Sequence, residues 1–248
     1  MQYLRSKLFD VVVVLWTLVL SPSLPVLWIC GTPQTYLRMV ARIWVQGLEL
    51  AIWYVIGLKY VERGRENIPA GPCIIIANHQ SPWETIVLAA KFTGAAFVAK
   101  REMIRIPAVG WFLKNYPMIM IERGAGVKAI RQLISESKSV LSEGRSIIIF
   151  PEGTRKSVSD PVVFKKGIEL MYSELGVPVL PIALNSGVFW GPDRYFKYSG
   201  TITLSYLQPI MPGLLPQEFS QKAQTALQNE KEKLVTELDL TPWIEAIG

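Results

Sequence analysis

Cys73-Ile74-Ile75-Ile76-Ala77-Asn78-His79-Gln80-Ser81-Pro82-Trp83-Glu84 is the stretch on which the reading of this chain turns. Its first five residues are a short, continuous apolar run after Pro69-Ala70-Gly71-Pro72, the pattern of a strand buried on both faces. The polar part that follows carries a helix start, with Ser81 as N-cap, Pro82 at the first helical position and Glu84 at the third. His79 therefore falls on a turn at the carboxyl end of a buried strand, where functional groups of open α/β sheets collect. Ser81-x-x-Glu84 also fits a capping box, and on that motif alone capping is the favoured task of Glu84. A lone histidine at such a junction is, by itself, most often an ordinary structural residue.

The same alternation continues outward. Ala95 to Ala99, Pro117 to Ile121, Ser146 to Phe150, Val177 to Leu184 and Thr201 to Tyr206 read as further strands. Between Val127 and Glu143 the spacing turns helical: Ile130, Leu133, Ile134, Val140 and Leu141 share a face, and Gly144 suits the stop. Phe219 to Leu238 is an amphipathic, charged helix. Strands alternating with helices predict an α/β fold, a mixed, mostly parallel sheet flanked by helices. Phe150-Pro151-Glu152-Gly153-Thr154-Arg155 follows another buried strand. Gly153 permits a close backbone approach, and Thr154 and Arg155 can donate hydrogen bonds to an oxyanion.

Half of the 248 residues are hydrophobic and mean hydropathy is +0.27, with the excess concentrated in the first sixty positions. No formal charge occurs from Val11 to Leu37, but Pro22 and Pro25 argue against one straight helix. A second apolar stretch, Ile43 to Leu58, carries only Glu49 as a charge. Trp16, Trp28, Trp44, Trp53 and Tyr54 suit a lipid–water interface. A signal peptide fits poorly, because Ser21-Pro22-Ser23-Leu24-Pro25 is a weak cleavage site and more apolar sequence follows. Two full crossings would place Arg38 and Arg42 outside, against the positive-inside tendency; a helical pair in one leaflet avoids that conflict. Core helices of a globular protein are the plainer alternative. The chain thus divides into a membrane-anchoring helical region, 1–59, and a second domain, 60–248.

The net charge of +6 suits an anionic membrane surface or a phosphorylated ligand. Nucleic acid ranks low, since neither zinc-finger spacing nor a dense Lys/Arg block is present. Cys30 and Cys73 lie in apolar stretches and do not form a disulfide framework. With one histidine in the chain, a metal site of several imidazoles is excluded, and any imidazole chemistry falls to His79.

Together the segments resemble the glycerolipid acyltransferase family, whose best-known bacterial members acylate 1-acyl-sn-glycerol-3-phosphate. That family has an Asn-His-x-x-x-x-Asp block, a segment ending in a phosphate-contacting Arg, a Phe-Pro-Glu-Gly-Thr-Arg block and a proline-containing strand, in that order. Here these resemble His79–Glu84, Met118–Arg123, Phe150–Arg155 and Val177–Pro181. The departures are Glu84 in place of Asp, Pro117 where Gly is frequent and Met120 where an aromatic is frequent. The resemblance implies that His79 acts as general base, oriented by Glu84. It also implies that Lys100, Arg123 and Arg155 meet a phosphate, and that Glu152, Gly153 and Thr154 shape a glycerol pocket. Lys156, Lys165 and Lys166 then serve general attraction to acidic head groups.

The implied reaction moves a fatty acyl group from a thioester, acyl-CoA or acyl carrier protein, to the sn-2 hydroxyl of lysophosphatidic acid. It needs no metal or cofactor. The absence of a Gly-x-Ser-x-Gly elbow favours direct transfer over an acyl-enzyme. Other acceptors such as a lyso-ornithine lipid, a non-catalytic lipid-binding role and a lipid hydrolase are the competing readings. The location implied is a membrane, in a bacterium the inner membrane, with the site on its cytoplasmic side.

Overall fold

The computed structural model describes residues 1–238 apart from 106–108, 117, 123–125 and 193–194. The apolar N-terminal stretch forms α1 (Gln2–Leu20), α2 (Ser23–Ile29) and α3 (Gln34–Ala51). The break between α1 and α2 falls at Ser21-Pro22, and Pro25 sits within the first turn of α2, where its missing N–H costs nothing. A π-helical turn, Ile52–Ile56, ends α3 at Gly57, whose φ of 76° suits a residue without Cβ.

Next come β1 (Leu58–Arg63), β2 (Ile74–Ala77), α4 (Pro82–Lys91), β3 (Ala96–Lys100), α5 (Val109–Asn115), β4 (Ile119–Ile121) and α6 (Val127–Ser142). The chain continues through β5 (Ile147–Ile149), α7 (Gly167–Leu175), β6 (Val179–Leu184), the short α8 (Ser186–Phe189), β7 (Gly200–Tyr206) and α9 (Pro216–Thr236). The strands form one seven-stranded sheet in the order β1-β7-β6-β2-β5-β3-β4. All neighbours are parallel except β6 and β7. The expected mixed, mostly parallel sheet flanked by helices, preceded by an apolar helical pair, is what the chain forms.

The continuous apolar run of β2 follows from its central place. Ile75 and Ala77 pack into one core with Trp83, Val87 and Leu88 of α4 and the end of the N-terminal helices. Ile74 and Ile76 enter the opposite core, with Leu133 and Val140 of α6, Met171 and Tyr172 of α7, and Phe219, Ala223 and Leu227 of α9. Successive side chains point to opposite faces, so a strand covered on both sides has no polar position to spare. The parallel strands β2, β5, β3 and β4 end at one edge, and β6 ends beside them. Everything that follows a strand there converges on one rim.

β1 was not apparent from the sequence, because the apolar stretch Ile43 to Leu58 runs into it unbroken. Its residues register with β7 from Leu58 opposite Gly200 to Arg63 opposite Ser205.

α1 and α3 form an antiparallel hairpin with polar ties inside an apolar setting. Trp16 Nε1 donates to the Trp44 carbonyl at 3.1 Å, and Trp44 Nε1 donates to Thr17 Oγ1 at 3.0 Å. The region has two helical stretches long and apolar enough to cross a membrane, Gln2–Ile29 and Gln34–Ile56, and most of that surface is uncovered by protein. At its base α1 docks on the sheet domain. Asp10 pairs with the buried Lys197 at 2.7 Å, and Ser6 Oγ accepts from the Lys197 N–H at 2.9 Å. The Lys197 ammonium also lies over the Phe9 and Trp190 rings, at 5.3 and 5.1 Å.

A Cβ on Gly47 would stand 2.3 Å from the Trp16 indole, whose position is fixed by its hydrogen bond. Gly→Ala inside a helix ordinarily stabilises by about 1 kcal/mol. Here overpacking of about 1–3 kcal/mol should outweigh that gain. Gly47→Ala is therefore expected to lower the melting temperature in detergent, and a rise would show that the hairpin can part without penalty.

Candidate active site

The helix start read from the sequence is present. Ser81 Oγ accepts from the Trp83 N–H at 3.1 Å, and Glu84 Oε1 accepts from the Ser81 N–H at 2.6 Å and the Gln80 N–H at 2.5 Å. The same Oε1 lies 2.9 Å from His79 Nδ1. Capping and imidazole contact are thus not alternatives, because one buried carboxylate does both. The contact favours the tautomer with its proton on Nδ1, leaving Nε2 as the free acceptor.

The imidazole is 17% exposed while Glu84 is fully buried. The ring stacks on Phe150, with centroids 4.0 Å apart and planes 13° from parallel. Its backbone is gripped by the loop after β5. The His79 N–H donates to Glu152 Oε1 at 2.7 Å, and the His79 carbonyl accepts from the Lys156 N–H at 2.7 Å. The two blocks that looked separate in sequence are neighbours because β2 and β5 pair directly, Ile74 with Ile147 through Ile76 with Ile149.

Glu152 is 2% exposed, and burial pushes its carboxyl up to about 7. The His79 N–H and the positive charges of Lys231 and Lys156 oppose that rise, while Glu84 adds to it. Lys231, from α9, is itself buried and donates to the Asp160 carbonyl at 2.6 Å; burial lowers the pKa of its ammonium. Glu152 therefore supports the histidine's backbone from beneath. Gly153, with φ of 73°, closes a tight turn through its N–H to the Phe150 carbonyl at 3.0 Å. Thr154 and Arg155 are exposed at the rim and, among the described residues, unpaired.

Lys100 ends β3 in register with Ile121 of β4 and is half-buried. β3 lies two strands from β2, a lateral offset of about 10 Å at ordinary strand spacing. Arg123 and Pro117 lie outside the described residues. Two residues of the site were not anticipated. Ser186, after β6, donates from Oγ to Glu84 Oε2 at 2.8 Å, and Lys231 supplies charge beneath Glu152. Among the described residues no group of three or more His, Cys, Asp or Glu side chains could hold a metal ion.

Comparison with known proteins gives the class of the chain. The family profile described as Acyltransferase matches residues 59–185, and the chain belongs to that family. It is 40% identical over 168 residues to a 1-acyl-sn-glycerol-3-phosphate acyltransferase of Pseudomonas aeruginosa, covering 66% of this chain and 64% of the relative. It is 30% identical over 217 residues to a lyso-ornithine lipid O-acyltransferase of the same organism, covering 79% of this chain and 80% of the relative. The crystal structure of a 1-acyl-sn-glycerophosphate acyltransferase from Thermotoga maritima superposes with a TM-score of 0.76 at 24% identity, over 96% of this chain and 100% of that one. This last likeness concerns the fold.

Between the ordinary carboxyl value of 4.5 and about 7, folded protein keeps a proton on Glu152 that the unfolded chain has released. That contribution to stability is full below the window and is lost as pH rises through it. The melting temperature of Glu152→Gln relative to wild type should therefore rise between about pH 5 and about pH 8, by the equivalent of about 1–3 kcal/mol. Parallel melting curves across that range would contradict a raised carboxyl.

Proposed function

We propose that the protein transfers a fatty acyl group from a thioester to the sn-2 hydroxyl of lysophosphatidic acid, forming phosphatidic acid at a membrane surface. The observation that carries this reading is the His79–Glu84 contact at 2.9 Å, with the carboxylate fully buried and the ring partly open.

A hydroxyl is a poor nucleophile until a base removes its proton. His79 Nε2 accepts that proton as the hydroxyl oxygen attacks the thioester carbonyl. Glu84 holds the ring through Nδ1 and stabilises the imidazolium that forms, the part a buried carboxylate plays in Ser-His-Asp sites. The new C–O bond gives a tetrahedral centre; the C–S bond then breaks, and the thiolate leaves or takes the proton back from Nε2. No protein nucleophile enters the sequence. Lys100, Arg123 and Arg155 are assigned to the acceptor's phosphate, and Glu152, Gly153 and Thr154 to the shape of the glycerol pocket. The exposed apolar faces of α1 to α3 support a bilayer location, since acyl chains enter and leave there without crossing water.

A lyso-ornithine lipid acceptor is the second reading, favoured by the wider coverage of the relative bearing that name. Both relatives fit the same chemistry. They differ in what the basic rim must hold.

Purified protein in detergent or lipid, offered both acceptors with acyl-CoA or acyl carrier protein, separates them. Phosphatidic acid should form, and His79→Ala should lower the rate by at least about a thousandfold, within the range for loss of a general base. Glu84→Gln should lower it by at least about a hundredfold if the variant stays folded, the lower end of the range for general acid–base catalysis. Transfer to the ornithine lipid alone would move the assignment to the second reading. Folded protein inactive with every pairing would leave a lipid-binding role.

A further inference from the structure

We propose that Ser186 is a positioning residue for His79, acting through the carboxylate of Glu84. The proposal rests on the reading of His79 as base and names a third member of that hydrogen-bonded chain, 102 residues away from Glu84 in sequence.

The two oxygens of Glu84 are used unequally. Oε1 serves the Gln80 N–H, the Ser81 N–H and His79 Nδ1. Oε2 has one partner among the described residues, Ser186 Oγ at 2.8 Å. Both side chains are fully buried, so bulk water does not reach either of them. Ser186 therefore fixes the carboxylate's twist about its last bond. A carboxylate that turned away would lose the acceptor that orients Nδ1–H.

Ser186 can do this because its own turn is clamped to the histidine's turn. Asn78 bridges to Leu184 in both directions, donating to its carbonyl at 2.9 Å and accepting its N–H at 3.0 Å. The Gly187 N–H donates to Gln80 Oε1 at 3.1 Å. A Cβ at Gly187 would come within 2.9 Å of Gln80 Cβ and 2.8 Å of Val158 Cγ2, so the close approach requires glycine. Behind it, Asn185 accepts from the Thr203 N–H at 3.0 Å and donates to the Leu234 carbonyl at 3.1 Å. The turn that carries the hydroxyl is thus held from the segment after β2, from β7 and from α9, more restraint than a capping box needs. The box is already complete through Ser81 and Glu84 Oε1.

The test compares Ser186→Ala, Ser186→Thr and Ser186→Cys with wild type and His79→Ala. It reads kcat and KM with lysophosphatidic acid and acyl-CoA, and the ¹⁵N spectrum of the imidazole. The chain holds a single histidine, so that signal needs no assignment. Ser186→Ala should lower kcat roughly tenfold with KM unchanged within about twofold, as expected for loss of one hydrogen bond to a charged group. Its imidazole should shift from the Nδ1–H tautomer towards a mixture. Ser186→Thr should restore most of the rate, and Ser186→Cys, a weaker donor, should fall between. Should Ser186→Ala not fold, the order Ser, Thr, Cys in kcat and tautomer decides the matter. Wild-type kcat and tautomer in Ser186→Ala, or in Ser186→Cys if that variant alone folds, would overturn the proposal. An active His79→Ala would overturn the reading of the base instead, while the tautomer spectra would still report whether Ser186 governs the pair.

Discussion

A carboxylate taken wholly out of water must be met by donors on every side or give up its charge. Glu84 is such a group, and much of the surrounding architecture serves it. Two backbone amides come from the start of its own helix, one hydroxyl from the turn after β6, and the fourth polar partner is the imidazole. Satisfying this group and orienting the histidine are one act. A substitution that loosens any donor disturbs helix entry and ring geometry together, and such effects are not additive.

The sheet makes that convergence possible. Parallel strands deliver their carboxyl ends to a common rim, and side chains from distant blocks meet there without long loops. The loop after β5 adds a second buried carboxyl, Glu152, that holds the histidine by its backbone, while Lys231 of α9 offsets the burial from below. The histidine is therefore restrained at its ring, its N–H and its carbonyl. Restraint of this kind reduces the reorganisation that a proton transfer would otherwise require.

Most of the strands were legible in the sequence because burial on both faces leaves short, continuous apolar runs bounded by turn residues. The start of α4 was legible down to the cap, since Ser81, Pro82 and Glu84 each suit one position for a separate physical reason. β1 was hidden because the apolar helix before it supplies no punctuation other than Gly57. The weighing of Glu84 as cap against partner of His79 could not be settled from spacing, since both tasks ask for a carboxylate at the same place. Ser186 and Lys231 went unnoticed because their partners are remote in sequence. Yet Asn185-Ser186 follows a buried strand just as Asn78-His79 does, and the rule that drew attention to the one applies equally to the other.

The ion pair at the foot of α1 has a consequence for how the molecule sits. Asp10 and Ser6 hold Lys197, and the lysine's ammonium rests against Phe9 and Trp190. The N-terminal hairpin is thereby keyed to the body of the protein at several points. The hairpin and the sheet therefore meet along a seam that combines an ion pair, a backbone hydrogen bond and two ring contacts. Cutting the hairpin away would uncover a cation whose surroundings were shaped for a helix, and a trimmed sheet would have a flaw at that seam rather than a clean surface.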